Sequence, residues 1–140
     1  MASSIHGTCI ALGGAGALLL GPSGSGKSDL ALRLLDQGAE LVADDRVELT
    51  VQAGQMLARA PAGLPALLEV RGIGLLPVHP RKGAVPLAAV FRLERASERL
   101  PVPQSWRYED ATVPLFHLDP SAPSAAARVR AVMASAPVPA

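Results

Sequence analysis

Hydrophobic and polar positions follow two rhythms along this chain, one with the period of a strand and one with that of a helix. Residues 5–12 and the run Ala17-Leu18-Leu19-Leu20 are short, apolar and of buried-strand type, and Gly13-Gly14-Ala15-Gly16 between them predicts a turn, hence an opening hairpin. From Asp29 to Asp36 the period lengthens. Leu30 and Leu34, and Ala31 and Leu35, stack one turn apart, which predicts a helix with an Asp29–Arg33 ion pair on its wet side and Gly38 as its stop. Residues 40–43 form another short strand, and residues 47–51 alternate cleanly. A turn at 52–55 leads into 56–60, so a half-solvated antiparallel hairpin is expected, ended by Pro61 and Pro65.

The second half is less regular. Residues 67–76 are apolar except for Glu69 and Arg71, which in an extended segment would share one face. Charges inside an apolar run are costly unless paired, metal-bound or turned toward a charged ligand, so an ion pair and a ligand-facing pair are both open readings. Residues 77–86 predict an exposed basic loop carrying Arg81 and Lys82, and 87–93 a further strand. A polar turn is expected over 94–99, while 101–108 carry no decisive pattern. Pro114 assigns residues 113–118 to an edge strand, where a missing N–H is tolerated, and His117 within it has no evident partner. A last helix is expected over 124–134, with Val129, Val132 and Met133 on its apolar side. With no internal repeat, residues 1–140 are expected to form a single domain whose tail, 136–140, frays.

Composition narrows this further. The chain has 140 residues, 49% of them hydrophobic, and only four aromatics, so the core must be aliphatic. A formal charge of +1 gives no electrostatic case for nucleic acid or for a membrane surface, and no apolar run is long enough to span a bilayer. The start of the chain lacks the basic and apolar regions of a secretory signal. Cys9 is the only cysteine, so no internal disulfide can form; its expected role is core packing, consistent with a reducing cytoplasm.

The candidate chemistry begins at Gly21-Pro22-Ser23-Gly24-Ser25-Gly26-Lys27-Ser28, which fits G-x-x-x-x-G-K-[ST] between a strand and a helix. Glycines let successive N–H groups turn inward around an anion, and the helix start adds its partial positive charge. Gly21, Ser23, Gly24, Ser25, Gly26, Lys27 and Ser28 are therefore the expected phosphate-binding set. Lys27 would reach the β- and γ-phosphates, and the Ser28 hydroxyl would hold Mg²⁺. Asp44-Asp45 follows the strand at 40–43. If the helix returns the chain parallel to the strand before the loop, both strands end on the same rim and the carboxylates face the phosphates, where they can ligate Mg²⁺ or accept a hydroxyl proton. His6 is a lone histidine near the start of the opening hairpin.

With the phosphate loop, Ala43-Asp44-Asp45-Arg46-Val47 and Leu68-Glu69-Val70-Arg71-Gly72-Ile73-Gly74 in order, the chain resembles the HPr kinase/phosphorylase family, in the short form of its catalytic domain. The resemblance is strong over residues 5–74 and fades beyond Pro86. It implies an α/β fold of the P-loop, phosphoenolpyruvate carboxykinase-like type: a mixed β-sheet with a phosphate-loop helix and a C-terminal helix. It further implies a cytoplasmic kinase that uses ATP and Mg²⁺ to phosphorylate a serine of the phosphocarrier HPr or an HPr-like protein. Phosphorolysis by inorganic phosphate, yielding pyrophosphate, is a second activity of some members. On this resemblance Asp44 is the base and a metal ligand, Asp45 assists it, Glu69 binds Mg²⁺, Arg71 steadies the phosphoryl charge, and His6 matches a histidine near the phosphate site. Family members often carry Glu where Asp29 stands. The loop and C-terminal helices that in longer members contact HPr and neighbouring subunits are shortened here, so a homo-oligomer is an open outcome. The alternatives are a small-molecule kinase or carboxykinase-like enzyme, and a non-catalytic nucleotide sensor.

Overall fold

The computed structural model describes residues 3–62, 64–95 and 102–135. The expected run over 5–12 is not one strand but two, β1 (Ser3–His6) and β2 (Thr8–Leu12), broken at Gly7. There is a steric reason for a glycine at the break: a Cβ on Gly7 would lie 3.1 Å from the Leu19 carbonyl oxygen. β2 pairs antiparallel with β3 (Ala15–Leu20), the expected opening hairpin, whereas β1 leaves to pair with β5 (Arg46–Gln52). Helix α1 (Lys27–Asp36) ends where expected, with Gly38 in the left-handed region at φ 102°. β4 (Glu40–Ala43) joins the far side of β2, and β5 folds back on β6 (Gln55–Arg59) as the second expected hairpin.

β9 (Val85–Leu93) is where the sheet forks. Along one side it runs parallel to β3. On its other side Val85 and Pro86 pair with β6, then Val90 to Leu93 pair in parallel with β11 (Ala111–Leu118). The stretch without a decisive pattern forms β10 (Gln104–Tyr108), antiparallel to β11. This corrects the edge assignment for 113–118, because β11 has neighbours on both sides and β10 is the edge. Pro114 is tolerated because only Leu115 to Leu118 pair with β9, so its missing N–H falls before that ladder starts. His117 also has partners: Nδ1 meets Glu94 Oε1 and Nε2 lies 2.7 Å from Gln104 Oε1, tying the ends of β9, β10 and β11 together.

Alternation sends side chains to two apolar clusters. Ile10, Ala17, Leu19 and Phe91 pack under α1 and under α2 (Ala125–Ser135), with Leu30, Leu34, Val129 and Met133 opposite them. Cys9, Leu18, Leu49, Met56 and Val90 fill the other face of the curled sheet. The architecture is thus mixed α/β, with both helices on one cluster. Cys9 is fully enclosed as expected, and burial pushes its thiol up to about 12.

Two connections depart from simple loops. The apolar run at 67–76 doubles back as β7 (Leu68–Val70) and β8 (Gly74–Leu76), with a turn at 71–73. The basic loop is exposed but not loose. Pro80 forms a one-residue parallel bridge to Leu41, whose N–H donates to the His79 carbonyl (2.8 Å) and whose carbonyl accepts from the Arg81 N–H (2.8 Å). Arg81 also pairs with Glu40 at 2.8 Å. The expected turn at 94–99 and the tail at 136–140 fall largely or wholly outside the described residues.

Candidate active site at the carboxyl rim of the sheet

β3 and β4 are both antiparallel to β2, and β9 and β11 are parallel to β3, so all four strands run the same way. Their carboxyl ends share one rim, and the chain emerging from each carries Gly21, Asp44, Glu94 and Asp119 in turn. Ligands of open α/β sheets bind outside such strand ends. The expected parallel return of the chain through α1 therefore holds in direction, although β2 lies between β3 and β4.

Between β3 and α1 the loop is wound tightly. A Cβ on Gly21 would sit 2.6 Å from Ser25 Oγ, so any larger residue here would displace the Ser25 side chain. The Ser25 N–H donates to the Pro22 carbonyl at 3.0 Å. Gly26 is the N-cap of α1 at φ 103°, and no side chain caps the helix start. The first N–H groups of an α-helix have no partner within it, so this end is left free to meet an anion.

Lys27 turns back into the loop. Its Nζ donates to the Gly21 carbonyl (2.5 Å) and the Pro22 carbonyl (2.9 Å), lies 3.5 Å from Ser25 Oγ, and the residue is only 8% exposed. Burial pulls its proton affinity below the ordinary lysine value, while the nearby negative charges of Asp44 and Asp45 push it back up. Asp44 is half-buried and doubly held: Oδ1 accepts from Thr8 Oγ1 at 2.7 Å, and Oδ2 from the Glu69 N–H at 3.3 Å. Asp45, at φ 70°, is exposed and lies 3.4 Å from His6 Nδ1. Its carbonyl accepts from the Gly7 N–H at 3.2 Å, so the break between β1 and β2 is also what brings His6 to the aspartates.

The structure thus gathers Lys27, Ser28, Asp44, Asp45 and His6 on one rim with the glycine loop. Glu69 is joined to them through its main chain, its side chain exposed. Arg71 is not drawn in. It opens the exposed turn between β7 and β8, so the expectation that Glu69 and Arg71 share one face of an extended run is overturned: the strand ends at Val70. Thr8 is the residue that sequence reading missed. A threonine at the head of an apolar strand was the available signal; its complete burial and its partner just after β4 were not visible locally.

Among the described residues no three His, Cys, Asp or Glu side chains form a metal-binding group. Mg²⁺ seldom needs one, since one or two carboxylates together with ligand phosphates suffice. Ser28, Asp44 and Glu69 offer hard oxygen donors of that kind, and the uncapped helix start with its enclosed lysine suits a polyphosphate.

Comparisons with known proteins bear on the family and the fold. Residues 1–93 match the family model of the HPr serine kinase C-terminal domain. The HPr kinase/phosphorylase of Brevibacillus brevis is 41% identical over 93 residues, which cover 66% of this chain and 30% of that protein. The protein of the same name from Levilactobacillus brevis is 48% identical over 82 residues, 58% of this chain and 26% of that one. This chain therefore spans under a third of the length of these relatives. The solved structure of the Hpr(Ser) kinase/phosphatase from Coxiella burnetii superposes with a TM-score of 0.80 at 19% identity, covering 94% of each chain, which establishes the shared fold. With residues 1–93, two-thirds of its length, matched by the family model, the chain belongs to the HPr serine kinase C-terminal domain family.

Proposed function

We propose that this chain acts as one catalytic domain, a cytoplasmic kinase that transfers the terminal phosphoryl group of ATP to a serine of HPr or an HPr-like phosphocarrier. The observation that carries the reading is Asp44, fixed by Thr8 and the Glu69 N–H at the rim where its charge and that of Asp45 act on Lys27. ATP supplies the phosphoryl group, and Mg²⁺ neutralises the charge on its phosphates.

The chain's own residues do the rest by positioning and electrostatics. Amides of Gly24, Gly26, Lys27 and Ser28 bind phosphate oxygens, while that of Ser25 stays on the Pro22 carbonyl. Lys27 exchanges the Gly21 and Pro22 carbonyls for the β- and γ-phosphates, and its nearly enclosed position strengthens that contact. The Ser28 hydroxyl, Asp44 and the Glu69 carboxylate are the groups that would hold the metal. Asp44, oriented by its two donors, takes the proton of the incoming serine hydroxyl; in phosphorolysis the same carboxyl returns it. His6 orients Asp45 from 3.4 Å, and Arg71 meets the phosphoryl charge from the exposed turn.

Mass spectrometry of HPr after incubation with this protein, ATP and Mg²⁺ tests the reading. A gain of one phosphoryl group on a serine is expected, and its loss after adding inorganic phosphate would mark phosphorolysis. Unmodified HPr alongside a phosphorylated metabolite would move the assignment to a small-molecule kinase.

A further inference from the structure

Arg33 and Pro120 take no part in the chemistry above, yet both are joined to the phosphate loop. Pro120 also lies beyond residue 93, where the family match ends. The β11 strand delivers Asp119 and Pro120 to the rim beside Gly26. A Cβ on Gly26 would lie 3.2 Å from both Cβ and Cγ of Pro120, so the pyrrolidine ring rests directly on the Gly26 backbone. The turn carrying that ring is itself held. Asp119 Oδ1 accepts from the Ser121 N–H (2.9 Å) and hydroxyl (2.7 Å), and the Ala122 N–H donates to the Asp119 carbonyl at 3.2 Å. From below, Arg33 donates from Nη2 to the Pro120 carbonyl at 2.6 Å.

This last bond sets the position of Arg33. Its ion pair with Asp29 is a poor one, with Nε 3.4 Å from an exposed carboxylate and, although buried, making no hydrogen bond. The contact with Pro120 is short and charge-assisted, of the stronger class of hydrogen bond. The result is a closed circuit: Gly26 starts α1, Arg33 stands two turns along it, and Pro120 bridges from Arg33 back to Gly26. We infer that Arg33 is a positioning residue for the phosphate loop, holding the Pro120 ring against Gly26 so that the amides of Gly26, Lys27 and Ser28 stay aimed at one point. Donors fixed before a ligand arrives need no reorganisation when it does. A residue in the helix and a turn outside the matched region thus set the geometry of the anion cradle. The inference rests on the loop binding phosphate, as proposed above.

The test compares wild type with Arg33→Ala, Arg33→Lys and Pro120→Ala, using calorimetric titration with ATP and Mg²⁺ and a thermal melt of each variant. Arg33→Ala is expected to weaken ATP about tenfold. Arg33→Lys, which keeps a charged donor, should recover most of that loss. Combining Arg33→Ala with Pro120→Ala should be no worse than Arg33→Ala, since both break one circuit. Wild type binding ATP while a folded Arg33→Ala binds it within twofold would overturn the inference and leave the phosphate site standing. If Arg33→Ala does not fold, Pro120→Ala is judged by the same criterion. Amide exchange of Ser25 and Leu30, read without nucleotide, decides independently of ATP binding. These amides bond to the Pro22 and Gly26 carbonyls, and several-fold faster exchange in Arg33→Ala is expected, whereas unchanged exchange overturns the inference. Failure of the wild type to bind ATP would overturn the phosphate-site reading and remove any role for Arg33 in ligand positioning.

Discussion

Two stretches that carry the candidate site residues are built to opposite specifications. The phosphate loop and the aspartate pair grow from β3 and β4, whose side chains are buried on both faces of the sheet, and Lys27 and Asp44 are each held by at least two hydrogen bonds. The β7–β8 hairpin consists of two three-residue strands that pair only with each other. Ile73 is 72% exposed and Leu75 64%, and below them Leu68 is the one fully buried anchor. Among the described residues the hairpin is hydrogen-bonded to the aspartates through the Glu69 N–H. The difference teaches that the glycine loop and the aspartates are rooted in the core, whereas Glu69 and Arg71 stand on a lightly tethered projection.

The strongest way to break this contrast is Asp44→Asn. Phosphoryl transfer to HPr should fall by about 10²–10⁴, the range of general-base removal, while ATP affinity measured by calorimetry without Mg²⁺ changes little. Retained transfer would remove Asp44 as the base. Leu68→Ala comes next. Truncating a buried leucine costs about 2–5 kcal/mol, and here urea unfolding should report that loss together with loosening of the hairpin.

A third probe reads the fixed half through pH. The Cys9 thiol rises from 9.0 to about 12 in the folded chain, so between those values the folded state binds more protons than the unfolded one. Stability conferred by the protonated thiol is therefore complete below 9.0 and declines as pH climbs toward 12, with a slope of at most about 1.4 kcal/mol per pH unit. Cys9→Ala should flatten this component of a denaturation series. Lys27, whose proton affinity is lowered, contributes the opposite sign just below the ordinary lysine range. The smallest effect is expected from Ile73→Ser or Leu75→Ser. Exposed positions on the projection should shift unfolding by less than about 0.5 kcal/mol, and a larger shift would mean that the hairpin is packed rather than projecting.

What the sequence made legible follows the same division. The opening and second hairpins, α1 with its Asp29–Arg33 pair, β9, and α2 to within a residue at each end were all readable, because each is fixed by local periodicity or by glycine and proline chemistry. Lys27, Asp44 and Asp45 were picked out by motif and order, and the direction of β4 follows from the helix between. Pairings over long separations were not readable. The departure of β1 to β5, the fork at β9, the partners of His117 and the Thr8–Asp44 bond depend on which strands become neighbours. The turn at 71–73 was hidden for another reason: Ile73 with Leu75 and Leu76 just after it mimics a buried strand while standing in water.

One consequence of Pro80 reaches beyond the site. A sheet with open ends invites a foreign strand to lengthen it. Beside β4 that position is already taken, since Leu41 spends its outward N–H and carbonyl on His79 and Arg81, and the proline between them offers no donor. Among the described residues, growth of the sheet by strand addition is thereby directed to the other outer strands, Ser3–His6 and Gln104–Tyr108.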